Sequence, residues 1–88
     1  MGEVAMIYRI MPESPESMDS IKKELEERVK SVGAELNRVD EKPIAFGLKA
    51  LEVAIIMDDK SGKSGELEEK LSSIPGVQSL ELVDMSLI

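Results

Sequence analysis

Eighty-eight residues with 18 acidic and 11 basic side chains, a net charge of −7, predict one acidic domain (residues 1–88) built on a single two-layer core. The 42% hydrophobic content is that of a folded soluble chain, and no apolar run approaches the roughly 20 residues of a bilayer span. Without cysteine or histidine there are no disulfides, thiolate nucleophiles, zinc fingers or Ser-His-Asp triads, and the acidity argues against a nucleic-acid backbone as partner.

The opening Met1-Gly2-Glu3-Val4-Ala5-Met6 lacks the basic stretch of a signal peptide, and Met6 stands where myristoylation of Gly2 wants Ser or Thr. A soluble cytoplasmic protein is expected. Residues 3–11 then predict a strand with Val4, Met6, Tyr8 and Ile10 on one face and Ala5, Ile7 and Met11 on the other. Apolarity on both faces predicts an interior strand. Residues 12–17 break it and offer two helix starts, Ser14 capping before Pro15 or Ser17 capping before Met18. The apolar period favours the second. Met18, Ile21, Leu25, Val29 and Val32 share one helix face, Glu26 and Lys30 form a favourable i,i+4 pair, and Gly33 ends the helix in a left-handed conformation.

An extended pattern over 34–39 follows, interrupted by Asp40-Glu41-Lys42-Pro43. Residues 48–57 predict a strand with Leu51, Val53, Ile55 and Met57 on one face, and 58–65 a polar loop. A second helix over about 65–74 places Leu67, Leu71 and Ile74 together and stops at Pro75-Gly76. A last strand covers 77–86, where Leu80 and Leu82 fall out of phase with Val83 and Met85, as a bulge or an edge position explains. The order β-α-β-β-α-β predicts an α+β ferredoxin-like sandwich, a four-stranded antiparallel sheet with both helices on one face and the other face open.

Few motifs carry chemistry. Gly62-Lys63-Ser64 lacks the glycine a phosphate loop needs five residues earlier, where Met57 stands, so it reads as a connecting loop. Asp58-Asp59 lacks the alternating ligands of a calcium loop. Acids over 66–69 suit the first turn of a helix. An RNA-binding sheet needs two or three central aromatics with basic support, whereas the first strand offers Tyr8 and the third none. No carboxylate pair sits in an apolar setting that marks it for acid-base work.

The single phenylalanine stands apart. Phe46 lies in Glu41-Lys42-Pro43-Ile44-Ala45-Phe46-Gly47-Leu48-Lys49, after a proline that breaks a ladder and before a glycine that permits close backbone approach. Two readings stand: a turn aromatic folded back over the end of the core, and an exposed anchor for a partner.

Ile44-Ala45-Phe46-Gly47-Leu48-Lys49-Ala50-Leu51, with Asp58-Asp59-Lys60 and Leu67-Glu68-Glu69 at their spacing, resembles the guanine-nucleotide-exchange domain of translation elongation factor 1-beta. The single-domain length and Met11-Pro12-Glu13-Ser14 after the first strand resemble its archaeal members. The resemblance covers essentially the whole chain. It implies a domain that binds elongation factor 1-alpha and speeds GDP release by distorting the partner's magnesium and phosphate region, without covalent chemistry or a cofactor of its own. It implies that Phe46 is the inserting aromatic and that Lys42, Pro43, Gly47 and Lys49 form the surrounding contact segment. Eukaryotic relatives carry a penultimate lysine that intrudes on the magnesium site, whereas this chain has Leu87 before Ile88. Exchange is therefore expected to rest on Phe46 and on apolar contacts from Met85, Leu87 and Ile88, in a protein that is monomeric when free. The competing expectation is a small-ligand regulatory domain of the same fold, which works as a dimer stabilised by its ligand.

Overall fold

Alternating apolar residues build the sheet. In the computed structural model, which describes residues 2–44, 47–58 and 64–87, strand β1 covers Glu3–Pro12 and buries Met6, Tyr8 and Ile10 on one face. Ala5, Ile7 and Met11 are partly buried on the other. Strand β3 (Lys49–Asp58) pairs antiparallel with β1 and buries Leu51, Val53, Ile55 and Met57 on the same face. Strand β2 (Glu35–Pro43) pairs with β3, and β4 (Val77–Leu87) with β1, to give the order β2-β3-β1-β4. The strand that is apolar on both faces is indeed interior.

Helix α1 (Met18–Ser31) sets Met18, Ile21, Leu25 and Val29 toward the sheet. Helix α2 (Ser64–Ser72) adds Leu67 and Leu71, and Ile74 follows in the turn. These residues join Met6, Tyr8, Ile10 and the buried side chains of β3 in one cluster, so both helices cover one face of the sheet. The architecture is the ferredoxin-like sandwich expected from the order of elements. Tyr8 points into this core, away from the open face on which a base could stack.

The start of α1 departs from the expected cap. Pro15 opens a 3-10 turn over Pro15–Ser17 and the α-helix begins at Met18, so both candidate starts are used in succession. Neither serine caps with its side chain. Ser17 already has helical dihedrals (φ −76°, ψ −14°), whereas a capping side chain needs an extended backbone. The hydroxyls of Ser14 and Ser17 instead lie 3.2 Å from each other. The other end of α1 follows the expectation: Gly33 (φ +77°) donates to Lys30 O at 3.0 Å and Ala34 donates to Val29 O at 3.1 Å, a complete Schellman motif.

Arg28 fastens the two helices. Its guanidinium donates to Lys70 O at 2.8 Å and to Ser73 Oγ at 2.7 Å, at the end of α2 where carbonyls run out of helical N–H partners, while Nε donates to Glu24 at 3.1 Å. Arg28→Ala is expected to cost about 1.5–3 kcal/mol by urea denaturation, the range for hydrogen bonds to charged groups. Unchanged stability would show that water replaces these bonds without loss. The expected Glu26–Lys30 pair forms at 3.2 Å between exposed groups.

Both edge strands differ from simple alternation. β2 runs on through Asp40, Glu41 and Lys42 to Pro43, where the sequence predicted an interruption. An edge position explains this: a polar run meets solvent, and a proline is tolerated where no neighbour needs its missing N–H. β4 shows both devices offered for its muddled phase, because it is an edge strand and it is bulged. Ile7 pairs with Asp84 and Tyr8 with Leu82, which leaves Val83 without a partner of its own. The bulge brings Leu80, Leu82, Met85 and Leu87 to the helix side, opposite Ile10, Tyr8, Met6 and Val4.

Candidate partner-binding ends

The residues singled out from the sequence separate into two groups. The first occupies the β2–β3 hairpin. Lys42 pairs with Ala50 and Pro43 with Lys49, and the Ile44 N–H donates to Leu48 O at 2.8 Å to close the loop. Gly47 has φ +75°, a conformation that favours glycine, and nothing lies within 4 Å of where a Cβ would project. Ile44 and Leu48 are exposed beside it. Phe46 lies outside the described residues, as does Ala45.

An open cleft of about 250 Å³ runs beneath this hairpin, with Asp19 and Lys22 of α1 on one side and Glu41, Gly47 and Lys49 on the other. Lys22 donates to Glu41 at 3.0 Å across its mouth. That hydrogen bond and the Lys22 charge, with a smaller contribution from Lys49, hold the Glu41 carboxyl below the usual range. The cleft couples the hairpin to the first turns of α1. Lys22 was not singled out from the sequence because its partner is 19 residues away, and helical periodicity shows only that it faces solvent.

The second group occupies the end of β4. Leu87 is 75% and Met85 57% exposed, and Leu82 and Val83 are exposed with them. Ile88 lies outside the described residues. Leu82 and Val83 were missed in the sequence because an apolar residue in a strand reads by default as core.

The two groups are not neighbours. Leu87 is opposite Val4, and Val4 is opposite Met57, whereas Pro43 is opposite Lys49. Eight residue steps along β3 separate Lys49 from Met57, roughly 26 Å at the rise of an extended strand. The molecule is 43 Å long, and the groups lie toward opposite ends of the sheet. The hairpin end is basic and apolar, with Lys42 and Lys49. The β4 end is apolar with Asp84 beside it. Among the described residues, no trio of acidic side chains is grouped to hold a metal ion, and no helix is long and apolar enough to cross a membrane.

Residues 5–88 match the family model of the EF-1 guanine nucleotide exchange domain. The elongation factor 1-beta of Methanothermobacter thermautotrophicus is 44% identical over 86 residues, covering 97% of this chain and 96% of the relative. The elongation factor 1-beta of Methanoregula boonei is 40% identical over 88 residues, with 99% of each chain covered. Among solved structures, the C-terminal domain of the MgtC protein from Mycobacterium tuberculosis superposes with a TM-score of 0.70 at 17% identity, over 99% of this chain and 88% of that one. A de novo designed protein, Foldit4, superposes with a TM-score of 0.68 at 22% identity, over 98% and 96%. At such identities these two likenesses concern the fold alone.

Proposed function

The chain belongs to the EF-1 guanine nucleotide exchange domain family, and from that premise we propose that it accelerates GDP release from elongation factor 1-alpha in the cytoplasm during translation. The family match over residues 5–88 carries this reading. The whole chain acts as one exchange module and needs no covalent chemistry. It binds the nucleotide-free state of its partner more tightly than either nucleotide-bound state, and nucleotide supply sets the direction of exchange.

The separation of the two ends supports a division of labour. Contacts roughly 26 Å apart on a sheet cannot both enter one nucleotide and magnesium site. One end therefore acts on that site and the other anchors. The hairpin end offers Phe46 as the inserting aromatic, framed by Lys42, Pro43, Gly47 and Lys49. The tail end offers Met85, Leu87 and Ile88 and no ammonium group, so any action there is apolar rather than a displacement of magnesium by charge.

Stopped-flow release of a fluorescent GDP from elongation factor 1-alpha tests both statements. Acceleration is expected at micromolar protein, and its absence would remove the exchange reading. Of Phe46→Ala and Leu87→Ala, the variant at the acting end is expected to lower the saturating rate about tenfold, a loss of about 1.4 kcal/mol of barrier lowering. The variant at the anchoring end is expected to raise the half-saturating concentration instead. Identical effects of both variants on both parameters would overturn the division. Leu87 is exposed enough that its truncation should leave stability within about 0.5 kcal/mol.

A further inference from the structure

The unpaired edge of β4 is unlike the other edge of the sheet. Four exposed large apolar side chains, Leu82, Val83, Met85 and Leu87, fall within six consecutive residues. Leu82, Met85 and Leu87 stand opposite Tyr8, Met6 and Val4 and form a shelf on the helix side, beyond the covered core. Glu81 and Asp84 stand opposite Arg9 and Ile7, on the open side. The β2 edge is defended along its length by Arg38, Asp40, Glu41 and Lys42 and by Pro43 at its end. β4 has neither lysine nor proline. Besides its bulges, its guard is local: the Met85 N–H donates to the Asp84 carboxylate at 2.9 Å, which occupies a donor that an added strand would use.

We infer that the outer edge of β4 over residues 82–87 accepts an extended segment of a partner protein as an added antiparallel strand, one in which apolar residues alternate with lysine or arginine. Successive side chains of such a strand point to opposite faces. Its apolar set extends the shelf of Leu82, Met85 and Leu87, and its basic set lies beside Glu81 and Asp84. Asp84 sets the selectivity. An incoming carbonyl takes the Met85 N–H from the carboxylate, and a basic residue on the open side gives the freed carboxylate a new partner. A neutral strand leaves it to solvent, and an acidic strand adds like-charge repulsion. A second copy of this chain fits poorly, because it brings its own Glu81 and Asp84 and each chain carries −7. The inference deepens the reading of the tail as a partner-contacting end, and depends on that reading only for the partner's identity.

The test is amide hydrogen exchange by NMR on the full chain, with an end-blocked Lys-Val-Lys-Val-Lys-Val hexapeptide and a Glu-Val-Glu-Val-Glu-Val control. At a peptide concentration about ten times its dissociation constant, exchange at Met85 and Leu87 is expected to slow about tenfold. The β2 amides should not change, and the control should have no effect. In Asp84→Ala, the affinity ratio between the two peptides is expected to fall about tenfold. The proposal is overturned by no change on β4, by equal protection from the acidic peptide, or by undiminished discrimination in Asp84→Ala. Protection that grows with protein concentration alone would also overturn it, by making a second copy the occupant. No elongation factor is present, so this experiment and the exchange assay fail independently.

Discussion

Gly76→Ala is expected to lower the unfolding free energy by about 3 kcal/mol, against about 1 kcal/mol for Gly33→Ala. Both glycines have positive φ, +97° and +77°, so each alanine carries the cost of a left-handed backbone. The sites differ in what surrounds them. A Cβ on Gly33 meets nothing within 4 Å, whereas one on Gly76 lies 2.8 Å from Ser17 Cβ and 3.0 Å from Ser17 Oγ. A Cβ is fixed to its backbone and cannot swing aside, so the start of α1 must move. That start is held in turn by the Glu13 N–H, which donates to Gly76 O at 2.7 Å. Urea denaturation of both variants measures the difference, which isolates the steric part. Adding Ser17→Gly to Gly76→Ala should recover about 1 kcal/mol or more through direct coupling. Strictly additive effects would show that the overlap relaxes elsewhere. Ser17 thus matters for being small at a helix–turn contact, and its role as a cap, inferred from sequence, was the wrong reason for its presence.

The second large effect is alkaline. Tyr8 is 1% exposed, and its hydroxyl donates to Glu68 at 3.0 Å. Burial first, then the Glu68 hydrogen bond and the Glu68 charge, push its pKa well above the ordinary value near 10. The folded protein therefore keeps the phenol protonated at a pH where the unfolded chain has released the proton. Stability is unaffected below pH about 10, and above it falls by about 1.4 kcal/mol per pH unit until the folded-state pKa is reached. Tyr8→Phe should remove this dependence, at a neutral-pH cost of about 1 kcal/mol for the lost hydrogen bond. The chain has one tyrosine and no tryptophan, so phenolate absorbance reports this group alone. Ionisation near pH 10 without loss of structure would contradict the burial argument.

Much of the fold was legible because periodicity is a direct imprint of one-sided burial. The α1 residues Ile21, Leu25 and Val29 and the β3 residues Leu51, Val53 and Ile55 are all at 0% exposure, as their spacing implied. Gly33 was legible because its conformation is a local necessity. Less legible were features that depend on the neighbouring element: the edge position that lets β2 run to Pro43, the Ser17–Gly76 contact, and the Lys22–Glu41 bridge. The candidate site divides in the same way. Lys42, Pro43, Gly47 and Lys49 are brought together because they are close in sequence. Met85 and Leu87 were grouped with them by expected role, yet the antiparallel ladder carries them to the far end. Phe46 and Ile88 lie outside the described residues, so the fluorescent-GDP assay must speak for Phe46.

The extra residue in β4 has a consequence for how this segment can vary in length. Val83 is the step that lets even-numbered Leu80 and Leu82 and odd-numbered Met85 and Leu87 share a side. Substitutions along the strand alter one side chain at a time. Loss of Val83 removes the bulge and leaves Leu82, Met85 and Leu87 on the helix side in simple alternation, whereas gain of a further residue between Leu82 and Met85 turns everything that follows over, setting Asp84 and Ser86 above the helices and Met85 and Leu87 on the open face. This stretch should therefore drift freely in composition and tolerate loss of its bulge residue, but not the gain of another.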